Sequence, residues 1–318
     1  LMIGQINDTN STWIAAFLDQ HGWQLTRKMG VRDDIPQIVE AIDICLQSAD
    51  LLITTGGLGP TSDDLTVDAL CLYFGCQKVW HEETWERVQA ILKQFGREPL
   101  EMHKLQCYQP DGAEIIPNDQ GSAPAPLFRK NGKIVVSVPG VPNEMKHLLR
   151  DKIIGLLPSG DAIKHAFIRT AGEGESVIAE KIKDIEGKLP PSIKLAYLPN
   201  YSQVTLRLTS YDNTTHDRVD HFASKIISRL GPLVYGTGDT NLPKAIGDLL
   251  RERQETIGTG ESCTGGYLSH LITSIPGSSD YYLGSVIPYA YELKTSLLGI
   301  SADMLNTYGA VSEEVITA

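Results

Sequence analysis

The sequence has no CxxC pair among its five cysteines and no metal-ligand spacing among its eight histidines. It also lacks any apolar run long enough to cross a bilayer, and no signal-peptide pattern opens it. These absences exclude a disulfide framework, a zinc ribbon and a membrane-spanning helix. Cys45, Cys71, Cys76 and Cys107 therefore read as core or near-core thiols, and none of the histidines is a ligand candidate. Cations are in short supply as well. Lys and Arg total 28 against 39 Asp and Glu, a net charge of −11, which disfavours non-specific nucleic-acid binding. A cytoplasmic protein with neither a nucleic-acid nor a membrane partner is expected.

What is present is enough chain, 318 residues with 42% hydrophobic content, for two or three domains. Helical and strand patterns alternate through residues 1–158 in the way an α/β, doubly wound domain with a parallel sheet demands. Amphipathic stretches such as Trp13, Phe17 and Leu18 mark its helices, and "LLITTGG" and "KIVVSVPG" its strands. Residues 159–238 change rhythm to a small α+β domain. Residues 239–318 begin a third α/β unit, with the strand "TIGTGE", the helix "CTGGYLSHLITSI", the strand "YYLGSVIPY" and the helix "AYELKTSLLG".

The stretch "TTGGLGPTSDDLT" follows a buried strand and opens a helix, the form of an anion-binding strand-loop-helix. It has no Gly-Lys-Ser/Thr and no GxGxxG spacing, so it is neither a Walker A loop nor a dinucleotide fingerprint. Gly56, Gly57 and Gly59 let backbone approach a phosphate. Asp63 and Asp64, with hydroxyls of Thr61, Ser62 and Thr66 nearby, offer hard oxygen ligands to a divalent cation. The alternative is that Ser62-Asp63-Asp64 caps the helix. Asn7, Asp8 and Asn10 precede a helix, where capping is their simplest role, though they could also meet the same ligand.

A second constellation lies near the end. Ser262 and Thr264 sit on a strand-to-helix turn, where either hydroxyl could act as a nucleophile and N–H groups near Gly265 and Gly266 could receive an oxyanion. Lys294 is a candidate base, Tyr289 could position it, and Ser279 could contact a phosphate or ribose. Caps and a solvated lysine are the competing reading of these residues. Cys263, with no histidine partner, reads as a packed residue turned away from the pocket, and in "GEGES" Glu175 or Ser176 reads as a helix cap.

Taken in order, "GQINDTNSTWIA", "TGGLGPTSDDLT", "VPGVPNEM", "GEGES" and "ESCTGG…PGSS…Y…K…GAVS" resemble the CinA family over essentially the whole chain. The resemblance implies a molybdopterin-binding-like domain that hydrolyses ADP-ribose to AMP and ribose 5-phosphate. A divalent metal, Mg2+ or similar, would sit there at Asp63 and Asp64. It implies a middle domain without chemistry of its own. The last domain would be a cofactor-free amidase that converts nicotinamide mononucleotide to nicotinate mononucleotide and ammonia. A homodimer acting on small nucleotides is expected. The alternative is a non-catalytic pterin- or nucleotide-binding, competence-related regulatory protein. Family members begin with a strand and Gly-Asp-Glu ahead of Leu1 and continue past Ala318. Ala125 stands where the family has glycine, and Ala290 and Tyr291 replace two small polar residues.

Overall fold

The chain divides into two units, Leu1–Ile163 and Lys164–Ala318, and the structure, a computed structural model, describes residues 6–318. Gly4 and Gln5 of the first motif lie outside the described residues. The first unit runs α1 (Thr9–Gln20), α2 (Ile35–Leu46), β1 (Leu51–Thr55), α3 (Thr66–Phe74), β2 (Lys78–Trp80) and α4 (Glu82–Gln94). It continues with α5 (Glu101–Leu105), β3 (Tyr108–Pro110), β4 (Glu114–Ile116), β5 (Ala125–Lys130), β6 (Lys133–Val138) and α6 (Pro142–His147).

Its main sheet has the order β1-β6-β5-β4. Strand β6 alternates between two cores, as a strand buried on both faces must. Ile134, Val136 and Val138 pack with Ile14, Phe17 and Leu18 of α1 and Met145 of α6. Val135 packs with Ile38 and Ile42 of α2 and Leu70 of α3. Helices on both faces make this the expected α/β architecture, but the described sheet is mixed rather than parallel. Only β1 and β6 run parallel, and β5 and β4 are antiparallel. The reason is local: Asn131 and Gly132, with φ of 54° and 77°, close a two-residue hairpin between Lys130 and Lys133, the turn chemistry that a right-twisted β-hairpin selects.

The second unit starts with β7 (Lys164–Ala171), α7 (Glu175–Glu186), β8 (Ile193–Asn200), β9 (Gln203–Ser210), α8 (His216–Leu230) and β10 (Val234–Thr237). These strands form an antiparallel sheet in the order β10-β7-β9-β8. Ile168, Leu206 and Leu208 face Ile178, Ile182, Val219 and Phe222 of the two helices. The N-cap of α7 is Gly174, with no side-chain cap, so neither Glu175 nor Ser176 takes that role.

There follow α9 (Leu242–Arg253), β11 (Ile257–Gly260), α10 (Tyr267–Thr273), β12 (Tyr282–Val286), α11 (Tyr291–Leu298), α12 (Ala302–Tyr308) and α13 (Glu313–Thr317). Strands β11 and β12 pair in parallel, with Thr259 beside Ser285 and Gly260 beside Val286. Helix α9 comes close to the start of β12 because Gly247 has no side chain; a Cβ there would lie 2.4 Å from the Tyr281 hydroxyl. The Arg251 guanidinium covers the Tyr281 ring at 5.0 Å and donates to Asp280 Oδ2, Pro276 O and Gly277 O, which fixes the turn before β12. Among the described residues no helix is long and apolar enough to cross a membrane.

Candidate functional sites

In the first unit the glycine loop leaves the C-terminal end of β1 beside that of β6, where ligands of open α/β sheets collect. Gly56 and Gly57 have φ of 98° and 69°, a region in which a side chain is strained. The Gly56 N–H donates to Val138 O at 2.9 Å. Thr66 Oγ1 donates to Gly56 O at 2.8 Å and Thr66 N–H to Gly57 O at 3.1 Å. A Cβ at Gly57 would stand 2.3 Å from Thr66 Oγ1, so the loop folds directly onto the first residue of α3.

The loop carbonyls thus receive the helix start, and the capping alternative for Ser62-Asp63-Asp64 is not realised: the N-cap of α3 is Leu65, without a side-chain bond. Asp64 turns back instead, Oδ2 accepting from Thr61 N at 2.9 Å and Thr61 Oγ1 at 2.5 Å. Gly59 leaves room for it, since a Cβ there would meet Asp64 Oδ2 at 2.5 Å. Asp63 is exposed, and the Thr61 hydroxyl, with its own backbone N–H, holds its carboxyl below the usual range. Among the described residues no group of three or more His, Cys, Asp or Glu could hold a metal. Asp63 and Asp64 are the two adjacent carboxylates that this loop presents.

Asp8 caps α1 by accepting from Ser11 N at 2.9 Å. Asn10 does something else: its Nδ2 donates to Thr55 Oγ1 at 3.1 Å and to Gly140 O at 2.8 Å, joining α1 to the ends of β1 and β6. Sequence reasoning missed two neighbours of this end of the sheet. The buried Asn118 donates from Nδ2 to Ala123 O at 3.0 Å and to Glu144 Oε2 at 2.7 Å. Burial pushes the Glu144 carboxyl up, with the Asn118 bond working against it. Glu144 lay in the quoted "VPGVPNEM", a signal left unread.

In the second unit the turn 261–266 leaves β11 next to the loop that leaves β12. Ser262 is half-buried and Thr264 exposed. The Ile287 side chain sits where a Cβ at Gly266 would come within 3.0 Å, so the two loops touch. Lys294, 4% exposed, reaches back under its own loop, Nζ donating to Pro288 O at 2.6 Å and Tyr289 O at 2.9 Å. It is thus no solvated surface lysine. Tyr289 meets it only through its backbone carbonyl, which any residue would supply, and Tyr289 is itself exposed. Ser279 is exposed on the turn that Arg251 fixes. Cys263 is exposed rather than packed away, because the turn gives it no core to enter.

The expected oxyanion donors are occupied. Gly265 N–H donates to Ser262 O at 3.1 Å and Gly266 N–H to Glu261 Oε2 at 3.1 Å. Glu261, which sequence reasoning passed over, is 3% exposed. Burial would push its carboxyl up, but bonds from the Ser269 hydroxyl and N–H, the Thr264 hydroxyl and the Leu268 N–H outweigh that and hold it at about 2. The N–H groups of Ser262, Cys263 and Thr264 have no acceptor among the described residues.

Three family models match the chain in succession: "Probable molybdopterin binding domain" over residues 1–159, "Damage-inducible protein CinA KH domain" over 165–236 and "CinA C-terminal domain" over 239–318. A CinA-like protein of Cytophaga hutchinsonii is 40% identical over 328 residues, covering 99% of this chain and 77% of its own. One of Flavobacterium psychrophilum is 37% identical over 323 residues with the same coverage. A solved structure, of the protein CinA with unknown function from Thermoplasma acidophilum, is 33% identical. It covers 49% of this chain and 91% of that one at a TM-score of 0.45.

Proposed function

Because the chain belongs to the CinA family, we propose that it is a bifunctional hydrolase of pyridine-nucleotide salvage. The last segment deamidates nicotinamide mononucleotide to nicotinate mononucleotide and ammonia, and the first unit splits ADP-ribose into AMP and ribose 5-phosphate. The observation that carries the reading is the buried Lys294 of α11, which holds the carbonyls of the loop whose Ile287 touches the hydroxyl-bearing turn. Pro288 O and Tyr289 O accept two hydrogen bonds from Nζ and fix where it stands. In this reading Lys294 takes the proton of Ser262 or Thr264 as that oxygen adds to the carboxamide carbon. The amine returns the proton to the departing ammonia, and water releases the acyl group. In the first unit, Asp63 and Asp64 would hold a divalent cation. When bound, such a cation neutralises pyrophosphate oxygens, while Gly56, Gly57 and Gly59 bring backbone to the phosphates, Thr61 orients Asp64 and Asn10 holds the strand ends.

Assay of the purified full-length protein tests both halves: ammonia from nicotinamide mononucleotide and AMP from ADP-ribose, with and without EDTA. Absence of both products removes the hydrolase reading. A second reading, a pterin- or nucleotide-binding protein without catalysis, is favoured by the description of the family model over residues 1–159. Tight binding of a pterin with no turnover of either nucleotide would select it.

A further inference from the structure

Glu261 carries a buried charge with no cation beside it. No ion pair among the described residues involves it, yet besides the bond from the Thr264 hydroxyl its two oxygens accept five hydrogen bonds. Oε2 accepts from Gly266 N–H at 3.1 Å and Leu268 N–H at 2.9 Å. Oε1 accepts from Ser269 N–H at 2.9 Å, Ser269 Oγ at 2.5 Å and Ser285 Oγ at 3.3 Å. Its own N–H donates to Val286 O at 2.9 Å. One residue thus ties β11, the turn, the start of α10 and β12 together. A second chain of hydroxyls braces it, since the Tyr282 hydroxyl donates to Ser269 Oγ at 2.7 Å and lies 3.0 Å from Thr259 Oγ1.

A buried carboxylate is costly unless its lone pairs are filled, and here they are filled by groups that follow Ser262 and Thr264, at the start of α10 and on β12. Glutamine could not substitute without presenting an N–H to donors. No hydrogen bond links the carboxylate to the Ser262 hydroxyl among the described residues, so it does not act as that hydroxyl's base.

We propose that Glu261 is the positioning residue of the amidase site, its carboxylate locking the Ser262–Gly266 turn onto both parallel strands so that the nucleophilic hydroxyl is held in register with the loop of Lys294. The proposal rests on the amidase reading of this segment. Misplacing a reacting atom by about 1 Å costs on the order of 10² in rate, and that is the loss expected when the lock is removed.

The test uses the full-length protein and its Glu261→Gln variant, each kept well below its melting temperature. Two readouts are taken: kcat and KM for ammonia release, and the rate at which an alkyl fluorophosphonate, losing fluoride, labels Ser262, followed by intact mass. The expected result is native labelling at Ser262, with labelling and kcat both about 10² slower in the variant and KM unchanged. If the folded variant labels and turns over at native rates and only melts earlier, Glu261 is a support of the fold and the proposal fails. If the native protein is not labelled and Ser262→Ala still releases ammonia, the nucleophile reading fails and takes the proposal with it. Should Glu261→Gln not fold, Ser269→Ala carries the test, because it removes one donor and the Tyr282 brace but leaves the charge. Slower labelling of Ser262 is then expected, and native-rate labelling overturns the lock.

Discussion

The side-chain amide of Asn10 donates to the carbonyl of Gly140 at 2.8 Å across 130 residues of sequence, and to Thr55 Oγ1 at 3.1 Å. Asn10→Ala should therefore loosen the mouth between β1 and β6. The expected loss is about 0.5–1.5 kcal/mol of stability, read by urea denaturation, together with a fall in ADP-ribose hydrolysis. Asn10→Asp should do worse, because an ionised carboxylate faces the Gly140 carbonyl and has nothing to donate. An Asp variant as stable and active as the native protein would contradict this role.

Asp64→Asn keeps an oxygen for the two Thr61 donors and removes the charge. ADP-ribose hydrolysis should stop in EDTA and be abolished in this variant, with the melting temperature unchanged and ammonia release intact. Full activity with normal metal dependence would show that the carboxylate only shapes the loop.

Lys294→Met keeps the length of the side chain but leaves Pro288 O and Tyr289 O without their donor. Ammonia release should fall by about 10²–10⁴, stability by about 1–3 kcal/mol, and AMP production should be unaffected. Equal losses in both reactions would point to general unfolding instead of loss of a base.

Glu261 makes acid stability readable. Its folded carboxyl titrates at about 2, against an ordinary value of 4.5. A depressed carboxylate contributes stability that is present above the unfolded value and lost as pH falls through the folded one. The stability gap between the native protein and Glu261→Gln should be constant above pH 4.5 and close as pH falls toward 2. A gap independent of pH would mean that the charge contributes nothing.

The acidic balance, 39 carboxylates against 28 cations, predicts no appreciable DNA binding at physiological salt. A gel-shift titration with salt-resistant complexes in the micromolar range would sink this and favour a regulatory role.

Much of this was legible in the sequence where the signal is local. The spacing of Phe17 and Leu18, the cap-rich entry at Asp8 and the glycine loop after β1 all stand where periodicity and turn chemistry place them. The hidden parts depend on partners distant in sequence. Glu261 reads as an ordinary strand-end acid until Ser269 and Ser285, eight and 24 residues on, close around it. Asn10 reads as a cap until Gly140 arrives. The antiparallel turn at Asn131-Gly132 is a local Asn-Gly signal, while the alternation of helices and strands around it is that of a parallel sheet.

The contact between Gly247 and the Tyr281 hydroxyl sets a rule of exchange for natural variation. Space at position 247 is consumed by the tyrosine, so a relative with alanine or serine there should have a smaller residue at 281, and would then lose the ring that Arg251 covers. Glycine, tyrosine and arginine at these three positions should accordingly be inherited or replaced as a set, with the turn before β12 free to change its length only in chains that have abandoned all three.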